Sequence, residues 1–427
     1  MRRVRRFIVI SLLLVIVGYV SWAKVESVRL SRAIAEIEAR GEPVDYGYWY
    51  AKQVTAEQRE SARLYGQAAE YAVEAESGQQ YRAYQIDVDL ASGPLLTLAD
   101  ITASYRPDAP AMQLLDRATP MDFTEFGEDD RDLFDNQVPL QALGAQACLR
   151  ADVLAARGDA DGAVAALVPC LRLQRTLLGI YRAQQAARLL GSFRVLLRHT
   201  SPSDASLATL QENLASWPEE DGAVRALLQQ RVRFLSYADA PARGFGEFML
   251  SALGRPFLTN LTRRRVESFD DALAIVRLPP EQRREAIAAA RRAPPPMRRG
   301  FIGQFLAPQV YIGLGYNTGS QDLAARRIIV AVLAVERYRR AQHGAPPQSL
   351  NELVPALLPS VPEDPHQPGQ PIVYRRDSDA YVIYSVDANR KDDGGEFYGH
   401  GAAVTKHVGP QSPRDLGIRV PLKPRVD

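Results

Sequence analysis

The first pattern in the chain is a run without a polar face. Phe7–Ala23 (FIVISLLLVIVGYVSWA) is seventeen uncharged, mostly apolar positions in succession. As a helix rising 1.5 Å per residue, the run covers about 25 Å, close to the roughly 30 Å hydrocarbon core of a bilayer. Arg2, Arg3, Arg5 and Arg6 precede it and Lys24 follows it. Cationic residues stay on the cytoplasmic side, so the pattern predicts an inner-membrane helix with a cytoplasmic N-terminus and the rest of the chain exported. Tyr19 and Trp22 fall where interfacial aromatic residues belong. The same residues also fit a cleaved signal peptide, with Ser21-Trp22-Ala23 as the small-x-small site. The amphipathic continuation from Lys24 to Arg40 favours the anchor, because cleavage requires extended chain. Both readings export the remainder of the chain.

From Val25 to about Ala307 the spacing is mostly helical. Thr55-Ala56-Glu57-Gln58 is a capping box that opens a helix through Glu76, with Leu64, Ala68, Tyr71 and Ala75 on one face. Tyr81–Leu98 alternates at Tyr84, Ile86, Val88 and Leu90 but has no evident partner strand. The acidic, proline-broken stretch Pro107–Pro139 reads as a long surface connection. Leu140–Arg198 reads as two helices joined by Gly158-Asp159-Ala160-Asp161-Gly162, an αα-hairpin with a faint likeness to a tetratricopeptide repeat. Further helices are expected over Ser203–Ser216, Glu219–Tyr237, Val266–Arg277 and Pro280–Arg292, with the Gly- and Phe-bearing stretch Pro241–Pro256 between them. Arg263-Arg264-Arg265 and the arginines around Pro294–Pro296 read as solvated helix ends and a linker, with contact to anionic lipid headgroups as the alternative. Pro308–Ser320, punctuated by Gly and Asn, reads as a domain boundary.

The C-terminal part changes period. Gln321–Gln342 places Ala324, Ile328, Ala331, Val335 and Tyr338 on one helical face, and Gly344 follows as a C′ residue. Ser349-Leu350-Asn351-Glu352 is a second capping box opening a short helix that Pro359 ends. A loop of Pro362, Asp364, Pro365, Pro368 and Gly369 comes next. Ile372–Arg375 and Tyr381–Val386, separated by Asp377-Ser378-Asp379, form a β-hairpin pattern. An acidic loop, Asp387 to Gly395, comes after the hairpin, and residues 401–427 read as an extended tail.

This order resembles the exported module of the major pseudopilins of type II secretion and their pilin-like relatives. Tyr338, Gly344, Pro347, Leu350, Leu358-Pro359, Asp364-Pro365, Gly369, Tyr374, Tyr381, Ser385 and Asp387 carry the resemblance, over about residues 321–396. The resemblance implies a small α+β module and a calcium-binding loop. Asp387, Asn389, Asp392 and Asp393 are the oxygen donors it would offer to Ca²⁺, which takes six to eight oxygens. Arg390 and Lys391 within the loop oppose that charge. The chain lacks the Gly-Phe cleavage motif and early Glu of pseudopilins, and about 300 residues separate its apolar run from the pilin-like helix. The likeness is therefore one of domain architecture.

The sequence so predicts a mainly α protein. A membrane anchor or signal peptide occupies 1–24, a helical domain 25–307, a linker 308–320, a pilin-like α+β module 321–400 and a tail 401–427. The 427 residues suit two or three domains. The formal charge of +2 provides no global excess of positive charge for nucleic-acid binding. Only five of the 52 cationic residues are Lys, which fits a GC-rich genome. No His-Glu-x-x-His, Cys-x-x-Cys, Walker A, dinucleotide fingerprint or Gly-x-Ser-x-Gly elbow occurs, so no catalytic residue or organic cofactor is assigned. The two cysteines, Cys148 and Cys170, sit equidistant from the Gly158–Gly162 turn. Antiparallel helices bring such residues level, which makes them a disulfide candidate in an oxidising compartment. The functional expectation is a membrane-anchored binding or scaffold protein of the cell envelope. The alternatives are an exported hydrolase with dispersed catalytic residues and a pseudopilin-like filament subunit.

Overall fold

The computed structural model describes residues 2–45, 55–76, 109–122, 137–177, 179–215, 245–278, 309–367, 369–387, 389–397 and 415–423, with scattered helical positions in 224–235 and 282–289. In chain order the helices are α1 (Arg2–Ala39), α2 (Ala56–Glu76), α3 (Pro110–Ala118), α4 (Gln137–Ala156), α5 (Ala160–Thr176), α6 (Gly179–His199), α7 (Asp204–Ala215), α8 (Phe245–Val276) and α9 (Gln309–Ala341). A 3-10 turn at Leu350–Leu353 and strands β1 (Val373–Arg376), β2 (Ala380–Ser385) and β3 (Leu416–Pro421) complete the order. The chain forms two compact units, one of Met1–Ala51 with Val224–Gly313, the other of Lys52–Ala223 with Leu314–Asp427.

The first unit pairs α1 with α8. Among the described residues, one helix, α1, is long and apolar enough to cross a membrane. Beyond the apolar run, α1 contributes Ile37 to a small core with Leu235 and Val266. Glu26 is buried within α1 and receives Arg263 Nε of α8 at 2.9 Å. Arg231 is wholly buried, and its guanidinium donates to Glu42 and Asp270, both at 2.7 Å, and to the Pro43 carbonyl at 3.2 Å. Burial would raise the Glu42 pKa, but hydrogen bonds and charge from Arg277 and Arg231 outweigh it and hold the carboxyl at about 2. The Pro241–Pro256 stretch, which the sequence presents as a break, is helical from Phe245 onward as part of α8.

The second unit has one continuous core. Leu64 and Ala68 of α2, Leu115 of α3, Leu143 of α4, Leu167 of α5, Phe193 of α6, Leu207 of α7, Ile328 and Val332 of α9, Tyr381 and Ile383 of β2 and Ile418 of β3 all belong to it. The middle helices and the C-terminal module therefore share a hydrophobic interior. Local sequence explains much of the helical part. Thr55 and Gln58 bond reciprocally, Thr55 N to Gln58 Oε1 at 3.0 Å and Gln58 N to Thr55 Oγ1 at 3.1 Å, which satisfies two donors at the start of α2. Gly158 takes a φ of +82°, and Asp159 then caps α5 by accepting from Gly162 N at 2.9 Å. Pro110 starts α3, whose Ala111, Met112, Leu115 and Ala118 are buried. The connection expected over Pro107–Pro139 is thus interrupted by a helix and ends where α4 begins. Gly and Asn do not break the chain at Pro308–Ser320, because α9 runs from Gln309, although the unit boundary at Gly313 falls within that stretch. Tyr81–Leu98 lies outside the described residues.

The sheet is antiparallel in the order β1-β2-β3. The expected hairpin is present, with Arg376 opposite Tyr381 and Val373 opposite Tyr384. The tail expected to be extended over 401–427 supplies β3, which pairs Ile418 with Ile383 and Val420 with Tyr381. Its alternation of Leu416, Ile418 and Val420 is the signal in the sequence for that strand. All six residues of β2 are buried, because each face has a cover. On one face Tyr381 OH donates to Glu336 Oε1 of α9 at 2.7 Å. On the other, Tyr384 packs edgewise on Phe397 with ring centroids 6.3 Å apart. The second capping box does not form around Ser349, which makes no side-chain cap. Glu352 instead accepts from Gln348 N and from Tyr338 OH, each at 3.0 Å.

Two glycines test this packing in opposite directions. A Cβ on Gly417 would meet the Ile383 carbonyl at 2.5 Å and Phe397 Cε1 at 2.6 Å, neither of which moves without disturbing the sheet. Gly66, inside α2, has open space around it. Gly417→Ala is expected to cost about 1–3 kcal/mol in urea denaturation. Gly66→Ala is expected to stabilise by up to about 1 kcal/mol through helix propensity.

Candidate functional site

The polar groups of greatest interest gather where β2 ends. Asp364, in the proline-rich loop, is buried and accepts three hydrogen bonds: from His366 N at 2.8 Å, Ser385 Oγ at 2.7 Å and Val386 N at 2.9 Å. Asp387 comes next after β2 with a φ of +50°, and its backbone N–H donates to Ser385 Oγ at 3.3 Å. Its carboxylate faces inward, accepting from Gln321 Nε2 of α9 at 3.2 Å, with His366 Nε2 at 3.5 Å. Ser, His and two Asp thus lie within one cluster. The serine proton is directed at Asp364 rather than at the imidazole, and Ser385 and His366 are sealed from solvent. The arrangement satisfies buried donors around a tight turn. It does not present an activated nucleophile, which requires a serine–base hydrogen bond within reach of substrate.

The acidic loop then folds back over the outer face of β2. Asp392 Oδ1 accepts from Tyr384 OH at 2.8 Å and from Gly394 N at 2.9 Å. Asn389 Nδ2 donates to Asp393 Oδ2 at 2.6 Å. Gly394 and Gly395 adopt φ of +77° and +78°, and Gly395 lies against Val382 and the Tyr384 ring. Asp415, just before β3, closes the loop by accepting from Gly395 N at 2.8 Å and Asp393 N at 3.3 Å. Burial raises the Asp415 pKa to about 6 against the effect of those two backbone donors, and the neighbouring charges of Asp392 and Asp393 push the same way as burial.

Of the four residues expected from sequence to offer oxygens to calcium, Asn389, Asp392 and Asp393 share this loop, while Asp387 is turned inward to His366 and Gln321. Among the described residues, no three of His, Cys, Asp and Glu gather in a metal-binding arrangement. Asp415 escapes a reading of the sequence because nothing in its local surroundings reports that β3 returns it beside a loop some twenty residues earlier. Cys148 on α4 and Cys170 on α5 are both buried and present as free thiols. Cys170 Sγ donates to the Ala166 carbonyl at 3.3 Å, and Gln185 Nε2 donates to Cys148 Sγ at 3.4 Å. Burial pushes the Cys170 thiol well above its usual pKa, and the adjacent Cys148 adds to the effect. The equidistant spacing does bring the two side chains together.

A second buried carboxylate ties the helices of this unit. Asp322 of α9 accepts from Gln174 Nε2 of α5 at 2.6 Å and Arg182 Nε of α6 at 2.9 Å. Compared with profiles of known protein families, with characterised proteins and with solved structures, the chain shows no significant match.

The His366 site carries a pH dependence. Burial lowers its pKa below the ordinary 6.5, while the charges of Asp387 and Asp364 work against burial and that of Arg390 works with it. A depressed pKa contributes stability above about pH 6.5 that is lost as the pH falls through the folded-state value. Asp415 acts oppositely: its contribution is present below the ordinary 3.8 and is lost as the pH rises through about 6. The variant His366→Gln removes the first effect and leaves the second. Its melting temperature is expected to fall less than that of the unaltered protein between about pH 7 and pH 5. An equal fall in both proteins would show that His366 does not titrate on unfolding.

Proposed function

We propose that this chain is a membrane-anchored, exported component of the bacterial cell envelope that serves as a binding or scaffold protein. The observation that carries the reading is α1. It is a continuous 38-residue helix whose apolar side chains between Phe7 and Val20 stand largely exposed, with Leu14 at 67%. Side chains of this kind require a non-aqueous surround, and a bilayer supplies it. Four arginines before the run and none within it orient the N-terminus to the cytoplasm. The remaining chain is then extracytoplasmic, with its partners among envelope proteins.

A binding role is supported over hydrolysis by the state of the Ser385–His366 cluster, whose hydroxyl is committed to Asp364 and which lies out of reach of solvent. The pilin-like reading of the C-terminal module is supported by the succession of α9, the proline-rich turn and the β1-β2 hairpin. A resemblance of architecture of this kind suits protein contacts, and function rests on the site rather than on the fold.

The topology is tested by fusing alkaline phosphatase to the C-terminus. High phosphatase activity is expected, together with retention of the full-length protein in membranes after carbonate extraction. An inactive fusion, or an intact protein in the soluble cytoplasmic fraction, overturns the proposal.

A further inference from the structure

The anchor does not stand alone at the membrane. Two contacts tie α1 to α8 and a third ties the residue just past α1 to α8, and all three run in the same order along the chain. Trp22 packs edgewise on Phe257 with ring centroids 4.7 Å apart, Glu26 bonds Arg263 at 2.9 Å, and Arg40 bonds Asp270 at 2.8 Å. Rising residue numbers on one helix meet rising numbers on the other, so the helices are parallel. Going back along α8 from Phe257 therefore leads the same way as going back along α1 from Trp22, towards the apolar run. The helix α8 begins at Phe245, twelve residues before Phe257. At 1.5 Å per residue, those twelve residues make about 18 Å of helix on that side of Phe257, with Pro256 at the junction.

The sequence of this extension is suited to lipid. Phe245–Leu258 (FGEFMLSALGRPFL) carries only Glu247 and Arg255 as charges, among Phe245, Phe248, Met249, Leu250 and Leu253. At its end Phe257 and Leu258 are 64% and 53% exposed, next to Trp22, where α1 passes from apolar to charged sequence. Tyr19 joins the same aromatic group, 6.1 Å from Trp22. Aromatic and aliphatic side chains clustered at that level match the headgroup belt of a bilayer.

We propose that Phe245–Leu258, the N-terminal part of α8, is a second membrane-contacting element, seated in the leaflet through which α1 emerges on the exported side. The occupant of the surface at Phe257 and Leu258 is phospholipid, continuous with the lipid around α1. The proposal rests on the reading of α1 as a membrane anchor, and the test separates the two.

The full-length protein is reconstituted into vesicles of phosphatidylethanolamine and phosphatidylglycerol with a single introduced cysteine carrying an environment-sensitive fluorophore. The sites are Leu14→Cys on α1, Leu258→Cys on α8 and Arg264→Cys, an exposed position nearly two turns further along α8. The unsubstituted protein, whose two cysteines are buried, gives the background labelling. Doxyl groups on lipid chains and aqueous iodide serve as the two quenchers. The expected result is that labels at Leu14 and Leu258 are blue-shifted, quenched by doxyl lipid and protected from iodide, with the Arg264 label showing the reverse. A Leu14 label in lipid with a Leu258 label open to iodide overturns this inference and leaves the anchor standing. A Leu14 label open to iodide overturns both. A Leu258 label protected from both quenchers means that protein, such as a second copy of this chain, covers the face, and that also overturns the inference.

Discussion

The second unit depends on one strand being dry on both sides. Every residue of β2 is buried, so each polar atom along it must find a partner or cost stability. The backbone is met by β1 and β3. The side chains are met by groups from distant sequence. Tyr381 OH bonds Glu336, and Arg339 holds the same carboxylate at 2.6 Å while its guanidinium lies 5.8 Å over the Tyr381 ring. Arg339 also bonds the Leu422 carbonyl at 2.5 Å, just past β3. One helical turn of α9 thus satisfies a buried phenol and the end of the neighbouring strand. On the opposite face, the acidic loop closes over Tyr384 and Val382, and its aspartates are committed to Tyr384 OH and to loop amides. The order of dependence runs from the burial of β2 to the shape of that loop.

This dependence also explains what was legible in the sequence. Elements whose cause is local were readable: the Thr55–Gln58 box, the Gly158-Asp159 turn that caps α5, and the hairpin spaced by Asp377–Asp379. The missing pieces have causes elsewhere in the chain. Ser349 does not cap because the Glu352 N–H donates to the Ser349 carbonyl at 3.2 Å, while the Glu352 carboxylate is taken by Tyr338 OH and Gln348 N. The role of residues after 401 depended on β2 having a free edge, which β3 fills. Pro107–Pro139 concealed α3 because charge and proline outweighed the spacing of Ala111, Met112, Leu115 and Ala118. For the site, Asp392 and Asp393 were visible as an acidic loop, but Asp415 and the inward turn of Asp387 were set by tertiary pairing.

Buried charge imposes a related constraint. Arg231, Asp322 and Glu26 lie in regions with little water, where an unpaired ion would be strongly unfavourable. Each has more than one partner of opposite charge or strong hydrogen-bonding capacity. Arg231 holds Glu42, Asp270 and the Pro43 carbonyl, so it joins the segment after α1 to α8, and the Arg40–Asp270 pair beside it links groups 230 residues apart in sequence. Such pairs contribute little net stability compared with apolar packing, but they punish wrong registers severely, because a slipped helix leaves a buried ion unpaired. The Glu26 and Arg231 pairs are therefore better understood as fixing how α1 and the segment after it meet α8, and the Asp322 pairs as fixing how α9 meets α5 and α6.

The same pairing governs α1. Glu26 lies three residues beyond Ala23, where the chain leaves its apolar run. A buried carboxylate is tolerated only with its charge matched, and Arg263 and Arg29 match it at 2.9 and 3.0 Å. Two of these three groups are on α1 and one on α8, so the helix emerging from the apolar run is already bonded to its neighbour before it becomes fully polar. The effective dielectric there is lower than in bulk water, which strengthens each of those bonds. Rotation of α1 about its axis relative to α8 would break the Glu26–Arg263 contact and the Trp22–Phe257 contact together, since both lie on the face of α1 spanned by one turn. The two contacts thus fix the rotation of α1 about its axis relative to α8 at the point where the apolar run ends.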